Sequence, residues 1–190
     1  MNSTTVRPGF AASNVVVRRL VPADASIYRT LMLEAYEHHP EAFTSSLAER
    51  AALPRSFWEA RLATGAEPRE LVVGALRDGV LAGAAGIEFE SREKARHKAT
   101  LFGMFVLSGF RGSGLGHMLV EAALAAARAR PGVRIVQLTV TEGNAAARRL
   151  YERFGFVAFG VEPYAVMIRG DYVSKVHMWR DFAVPIDTMR

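Results

Sequence analysis

The 190-residue chain is half hydrophobic and has no cysteine, which excludes disulfides, thiolate nucleophiles and cysteine-based zinc sites. Its formal charge of +5 favours a solvated basic surface over a nucleic-acid site, because the arginines are scattered rather than clustered. The chain lacks both an apolar run of roughly 20 residues and a signal sequence, so we expect no membrane segment and a cytoplasmic location.

The N-terminal part is predicted to form a tail, a strand and a helix. Residues 1–13 are a loose tail ahead of one domain over residues 14–190, since no linker or repeat divides the rest. The run Val15–Leu20 predicts a strand. Asp24 then precedes a helix over Ala25–Glu37. The apolar positions of this helix are Ile27, Leu31, Leu33 and Ala35.

The middle of the chain is predicted to be largely β. An irregular stretch ends in a helix near Ser56–Leu62. Two apolar runs joined by Arg77-Asp78-Gly79 then predict a β-hairpin. The charged turn Ser91–Ala99 leads into the strand Thr100–Leu107.

The C-terminal part alternates helices and strands. A helix follows the glycines of residues 109–116, and the run Val133–Val140 predicts a strand buried on both faces. Asn144 is the predicted N-cap of the next helix, which Gly155 ends, and two strands follow. The predicted apolar face of the first of these helices is Leu115, Met118, Leu119, Ala122 and Ala126. This order predicts a mixed α/β fold with helices packed on a central sheet.

Four glycines between residues 109 and 116 lead from a strand into a helix. Such a helix start presents free N–H groups at the positive end of its dipole, and glycine allows an anion to approach closely. The P-loop pattern fails because Leu115-Gly116 replaces its lysine and hydroxyl, and the dinucleotide pattern fails at His117. Arg111–Gly116 matches the pattern [RQ]-x-x-G-x-[GA] completely. A tight turn without a ligand is the alternative interpretation.

A second motif spans Leu138–Phe156, with the sequence LTVTEGNAAARRLYERFGF. Asn144 and Tyr151 are seven residues apart, so they share one helix face. Taken alone, they are interpreted as an N-cap and a core aromatic residue. With both motifs in this order, the chain resembles the GCN5-related N-acetyltransferase (GNAT) superfamily over about Val15–Phe182, most strongly over Leu101–Phe156.

The resemblance implies a mixed central sheet, flanked by helices, in which two parallel strands splay apart. These strands would end near Val106 and Val140, and the splay would receive the pantetheine arm of acetyl-CoA. Main-chain groups of the first strand would pair with this arm, and the glycine-rich loop would hold the pyrophosphate. The implied cofactor-binding residues are Met104, Phe105, Val106, Arg111, Gly112, Ser113, Gly114, Leu115, Gly116, His117 and Asn144.

The implied reaction is acetyl transfer from acetyl-CoA to a primary amine, by direct attack in a ternary complex and without a metal. A backbone N–H near Val106 would stabilise the carbonyl oxygen, and the Tyr151 phenol would protonate the departing thiolate. The sequence leaves the acceptor open among small amines, amino acids, antibiotics and protein termini. It also leaves open whether the protein forms a homodimer. By resemblance, the segment His38–Trp58 borders the acceptor mouth, with Glu41, Ser45, Ser46 and Glu49 in it, and Tyr164 and Asp171 face it from the other side.

The sequence offers two candidates, Glu88 and Glu90, for the base that would deprotonate the amine. Many GNAT members carry a glutamate five residues before the asparagine, where this chain has Thr139. Glu88 and Glu90 lie on one face of an earlier strand, which is either a solvated face or the source of a base. We favour Glu88, because Glu90 adjoins the charged turn.

Two other function classes stay open at this point. A non-catalytic, acyl-CoA-binding regulatory domain would need neither a proton donor nor a base, so the presence of Tyr151 and Asn144 argues against it. A dinucleotide-binding enzyme would need the third glycine of its fingerprint, which is missing here.

Overall fold

The computed structural model describes residues 14–186, so the predicted tail 1–13 and the last four residues lie outside the described part. The described strands are β1 (Val15–Arg19), β2 (Glu70–Arg77), β3 (Val80–Phe89), β4 (Lys98–Val106), β5 (Ile135–Thr141), β6 (Val157–Ile168) and β7 (Asp171–Asp181). The described α-helices are α1 (Ala25–His38), α2 (Leu47–Ala51), α3 (Arg55–Arg61), α4 (Leu115–Ala129) and α5 (Ala145–Arg153). The strands form one sheet in the order β1-β2-β3-β4-β5-β7-β6.

The central feature of the sheet is the short parallel pairing between β4 and β5. Only three residue pairs join them, from Lys98 opposite Ile135 to Thr100 opposite Gln137. Beyond Thr100 the two strands separate, although each continues for several residues. All other neighbouring strands pair antiparallel. The mixed α/β sheet with two splayed parallel strands, expected from the resemblance, is therefore confirmed.

A β-bulge accounts for the separation of the strands. Ala84 of β3 lies opposite Phe105 and Gly86 lies opposite Phe102. Three residue steps of β4 therefore pair with two steps of β3, which means that β4 contains one extra residue. Gly103 occupies the bulge with φ = +58°, in the left-handed region that favours glycine. Because a bulge bends its strand, β4 turns away from β5, which stays paired with β7 as far as Thr141.

Helices cover both faces of the sheet. On one face, α4 and α5 pack over a core that includes Ile87, Leu119, Leu138 and Phe156. On the other face, α1 and α3 pack over a second core whose buried residues include Leu31, Trp58, Val72 and Phe105. The gap between β4 and β5 therefore lies between two helical layers. Within residues 14–186 no helix is long and apolar enough to cross a membrane.

The buried helix faces differ in part from the predicted ones. In α1 the side chain of Ile27 is exposed, because the buried face of the helix runs through Tyr28 and Tyr36 instead. In α4 the buried positions Leu115 and Leu119 are as predicted, whereas Met118 is exposed because the buried stripe continues through residues 120, 123 and 127.

Three strand and helix predictions also need correction. The strand β5 is not buried on both faces: Thr139 is exposed, because β4 has left its side and opened a gap there. The strand β6 extends to Ile168 along an exposed edge, beyond the predicted end at residue 160. The stretch expected to be irregular contains the short helix α2, which a capping box between Ser46 and Glu49 starts.

Candidate functional site

A cleft of about 750 Å³ occupies the gap between β4 and β5. Its walls come from both helical layers, with Gly116 and Tyr151 on the α4–α5 side and Tyr36 and Arg50 on the other. The cleft therefore passes through the sheet and has a mouth on each face. We call these the α4 mouth and the α1 mouth.

The β4 wall of the cleft has an unpaired backbone edge. The Leu107 N–H donates to the Ala82 carbonyl of β3 over 2.9 Å. Since successive residues of a strand direct their N–H and C=O groups to opposite sides, the N–H of Val106 points to the open side. An unpaired strand edge of this kind binds an extended, amide-containing ligand as an added strand does.

The glycine-rich loop forms a positive anion site at the α4 mouth. Gly112 and Gly114 have φ values of +76° and +85°, and Gly114 is the N-cap of α4. The first helical hydrogen bond runs from the Met118 N–H to the Gly114 carbonyl. The N–H groups of Leu115, Gly116 and His117 therefore have no acceptor within the helix, at the positive end of its dipole.

Seven of the predicted cofactor-binding residues line the cleft: Met104, Phe105, Val106, Arg111, Gly112, Gly116 and Asn144. The other four, Ser113, Gly114, Leu115 and His117, are not among the residues that line the cleft. The Leu115 side chain is buried in the core, and the His117 ring packs 4.5 Å from the Phe154 ring. All four can offer main-chain N–H groups to a ligand, while the side chains of Ser113, Leu115 and His117 have contacts within the protein.

The Arg111 side chain connects the loop to the α1 mouth. Its Nε donates to the Val106 carbonyl over 3.1 Å, and its Nη2 lies 2.7 Å from His39 Nε2. Because a guanidinium only donates, His39 Nε2 is the acceptor, which leaves the Nδ1 proton for the Glu41 carboxylate 3.2 Å away. The Arg111 side chain thus connects β4 at the glycine-rich loop with His39 at the α1 mouth.

Asn144 and Tyr151 lie on the same cleft wall, as their spacing predicted. Asn144 Oδ1 accepts the Ala147 N–H over 3.1 Å, which leaves its amide NH₂ free to donate to a ligand. The Tyr151 side chain is buried against Phe156, and its hydroxyl has no hydrogen-bond partner within residues 14–186. Burial raises the pKa of Tyr151 to about 12, so the phenol is protonated at neutral pH.

The two acidic candidates are clearly separated. Glu88 lies opposite Thr100 of β4 and lines the cleft, where its carboxylate accepts a hydrogen bond of 2.9 Å from Arg69. Glu90 is outside the lining and caps the following turn. The backbone hydrogen bond from Arg92 is the main reason why the pKa of Glu90 is lowered.

His177 is a cleft residue that the sequence did not predict. It lies on β7 directly opposite Thr139, and its Nε2 is 2.9 Å from a carboxylate oxygen of Glu162. The position is not apparent from the sequence because it depends on β7 pairing with β5, two elements separated by α5 and β6. Arg61 is a further cleft residue that was not predicted. Arg50 also lines the cleft and lies within the segment His38–Trp58 expected at the acceptor mouth.

The comparison with protein families decides the classification. The model of the acetyltransferase (GNAT) family matches residues 28–156. The chain belongs to the GNAT family. It is 27% identical over 169 residues to the L-amino acid N-acetyltransferase AaaT of Escherichia coli K12, covering 88% of this chain and 98% of AaaT.

Solved structures agree with this assignment. A GNAT-family acetyltransferase from Streptococcus pneumoniae superposes with a TM-score of 0.78 at 26% identity, covering 89% of this chain and all of that one. The Salmonella typhimurium protein yncA, solved with its cofactor acetyl-CoA, has a TM-score of 0.73 at 23% identity, covering 91% and 98% of the two chains. This GNAT chain is therefore an acetyltransferase, and its relatives are named N-acetyltransferases.

The α1 mouth of this GNAT enzyme includes only some of the residues expected there. Glu41 and Ser45 line the cleft, whereas Ser46 and Glu49 cap helix α2. Tyr164 and Asp171, expected on the far side of the mouth, are not part of the described lining. They lie towards the tip of the long β6–β7 hairpin, where the Tyr164 ring packs 5.2 Å from that of Tyr172.

The variant Gly116→Val tests whether the cleft holds the cofactor beside α4. A Cβ at residue 116 would lie 3.1 Å from Met104 Cε and 3.4 Å from Leu150 Cδ2, so valine fills the cleft at this point. We expect acetyl-CoA affinity, measured by calorimetry, to fall roughly 10- to 100-fold. Thermal unfolding should change little, because valine is no worse than glycine inside a helix.

The matched control is Gly109→Val in the same glycine-rich stretch, where an added Cβ meets open space. It should bind acetyl-CoA as the wild type does. Normal affinity in a folded Gly116→Val variant would contradict the assignment of this wall to the cofactor.

Proposed function

We propose that this GNAT enzyme uses acetyl-CoA to acetylate a primary amine, by direct attack within a ternary complex. The observation that carries the proposal is the cleft itself. It combines an unpaired β4 edge, the positive start of α4 and the buried phenol of Tyr151 in one space that opens to both faces of the sheet. One mouth can hold the cofactor while the other admits the amine.

The residues present fit acetyl-CoA. The N–H groups from Gly112 to His117 would hold its pyrophosphate, and the free edge from Met104 to Val106 would pair with the amides of its pantetheine arm. The Asn144 amide would donate to the same arm. When bound, acetyl-CoA supplies the activated acetyl group that the amine attacks.

Two donors of the chain would assist the transfer. The Val106 N–H, on the open edge of β4, would stabilise the carbonyl oxygen as negative charge develops on it. The Tyr151 hydroxyl would donate its proton towards the departing sulfur. Its raised pKa of about 12 ensures that this proton is present at every physiological pH.

The acceptor also has to lose a proton before it attacks, since an alkylamine of pKa about 10.4 is mostly charged at neutral pH. We assign this role to Glu88, which lies in the cleft and acts directly or through water. Its ion pair with Arg69 is exposed, and therefore weak enough for the carboxylate to exchange partners.

A non-catalytic acyl-CoA-binding domain is the alternative, and the placement of Tyr151 and Glu88 in one cleft argues against it. The relative AaaT is named an L-amino acid N-acetyltransferase, which makes free L-amino acids a candidate acceptor class for this enzyme. A cytoplasmic location, independence of metals and a homodimer stay predictions from the sequence.

Release of the CoA thiol in the presence of primary amines tests the proposed function and the role of Tyr151 together. The wild type should release thiol only when an amine is present. Tyr151→Phe should lower kcat roughly 10- to 1000-fold with almost unchanged acetyl-CoA affinity, because the proton is needed only in the transition state. Wild-type kcat should not fall between pH 8 and 10, since the phenol stays protonated there.

Two outcomes would count against this account. A wild-type enzyme that binds acetyl-CoA but releases no thiol with any amine would support the non-catalytic alternative. Unchanged turnover of Tyr151→Phe from pH 6 to 9 would make Tyr151 a core residue only.

The variant Glu88→Gln tests the assignment of the base. A base acts in its unprotonated form, so the rate falls as the pH drops through the pKa of that base. We expect Glu88→Gln to remove this acid limb from the pH–rate profile. Glu90→Gln, just past the end of β3 and outside the lining, is the control and should keep the limb.

His177→Asn belongs in the same series. If it removes the acid limb and Glu88→Gln does not, the base is His177 and the assignment to Glu88 is wrong. If all three variants keep the limb, the amine loses its proton to solvent and the enzyme acts by positioning alone.

A further inference from the structure

The short helix α2 presents Arg50 to the cleft from a fixed position. At its start, Ser46 Oγ accepts the Glu49 N–H, and a Glu49 carboxylate oxygen accepts the Ser46 N–H over 2.7 Å. At its end, Arg29 of α1 donates to the Ala51 carbonyl over 2.9 Å. A helix of one and a half turns is therefore held at both ends, and Arg50 is held with it.

Arg50 differs from the other cations that line the cleft, because each of those has a partner. Arg61 Nε lies 3.2 Å from a Glu70 carboxylate oxygen, and Lys175 Nζ donates to the Ala42 carbonyl. Arg111 is bonded to Val106 and His39, as described above. Within residues 14–186, Arg50 has no ion pair. Its buried Nε makes no hydrogen bond, which is also true of Arg61 Nε despite the ion pair of Arg61.

Aromatic rings keep the Arg50 guanidinium in place. Its Cζ lies 5.7 Å from the centroid of the Tyr36 ring and 5.4 Å from that of Phe57. Such contacts orient a guanidinium but do not neutralise it. Glu49 and Glu70 act on Arg50 electrostatically, but neither forms an ion pair with it within residues 14–186, so its donors stay available to an anion in the cleft.

An anion bound to Arg50 would lie on the acceptor side of the cleft. Arg50 packs among α1, α2 and α3, in the layer opposite the glycine-rich loop that begins α4. Glu88 and His177 lie on this same sheet face, because their strand neighbours Ile87 and Met178 point into the core under α4. The candidate bases and the free cation therefore share the α1 mouth.

We propose that Arg50 binds a carboxylate of the acceptor, so that the enzyme acetylates free amino acids rather than protein N-termini. An α-amino acid carries a carboxylate next to its amine, and a guanidinium matches that group with two parallel hydrogen bonds. The N-terminus of a protein has a neutral peptide group there and would leave Arg50 unpaired. This inference rests on the proposed N-acetyltransferase function and narrows its acceptor class.

Matched acceptors test the proposal through the ratio of their kcat/KM values. Alanine, leucine and phenylalanine would each be supplied as the free acid, the amide and the decarboxylated amine. For the wild type we expect the free acid to exceed the amide by roughly 10- to 100-fold for at least one side chain. Arg50→Gln should lose this preference, and Arg50→Lys should keep part of it.

The control variant is Arg55→Gln, which removes an exposed arginine at the start of α3, outside the cleft lining. It should keep the full preference. Arg61 is unsuitable as a control, because its removal would leave Glu70 half-buried without its counterion. If Arg50→Gln does not fold, the wild-type preference and its reduction in Arg50→Lys decide the question.

Failure of this inference is distinguishable from failure of the proposed function. Equal kcat/KM values for acid and amide, or a preference that survives in folded Arg50→Gln, would overturn the role of Arg50 while acetyl transfer stands. Acetylation of only those amines that lack a carboxylate would also overturn it. An enzyme that neither binds acetyl-CoA nor releases thiol with any of the nine acceptors would overturn the proposed function itself.

Discussion

The site depends on one constraint, which is that β4 and β5 pair over only three residues. A parallel sheet normally satisfies its backbone along the whole length of its strands, so an early separation leaves donors and acceptors unpaired at its centre. The bulge at Gly103 imposes this separation, and the antiparallel pairing of β5 with β7 keeps β5 from following β4. The unpaired edge becomes a place for a ligand with amide groups.

The two mouths of the cleft then differ in their chemistry. The α4 mouth carries charge on the backbone, through the helix start after Gly114, which suits a phosphate without any specific side chain. The α1 mouth carries its charge on side chains, namely the cation Arg50 and the acids Glu88 and Glu41. A cleft of this kind holds a constant cofactor from one side and selects a variable acceptor from the other.

The sequence predicted the parts of the site that depend on local order. The glycines after β4 and the Asn144–Tyr151 spacing have direct local meaning, and so does the hairpin turn at Asp78-Gly79. The S-x-x-E capping box that starts α2 is a local signal as well. The juxtaposition of His177 with Thr139 could not be predicted, because β7 inserts between β5 and β6 through long-range pairing. The segment that contains Arg50 was expected at the acceptor mouth, but which of its side chains faces the cleft depends on the packing of α2 against α1 and α3.

Backbone hydrogen exchange with and without acetyl-CoA tests the central claim most directly, since that claim concerns unpaired N–H groups. Saturating acetyl-CoA should slow exchange in two separate segments, the Met104 and Val106 N–H groups on the open edge of β4 and the first turn of α4 from Leu115 to His117, by at least about 10-fold. Exchange in the β1–β2 pair, far from the cleft, should stay unchanged. Unchanged exchange in both segments at saturation would contradict the assignment of this cleft to the cofactor.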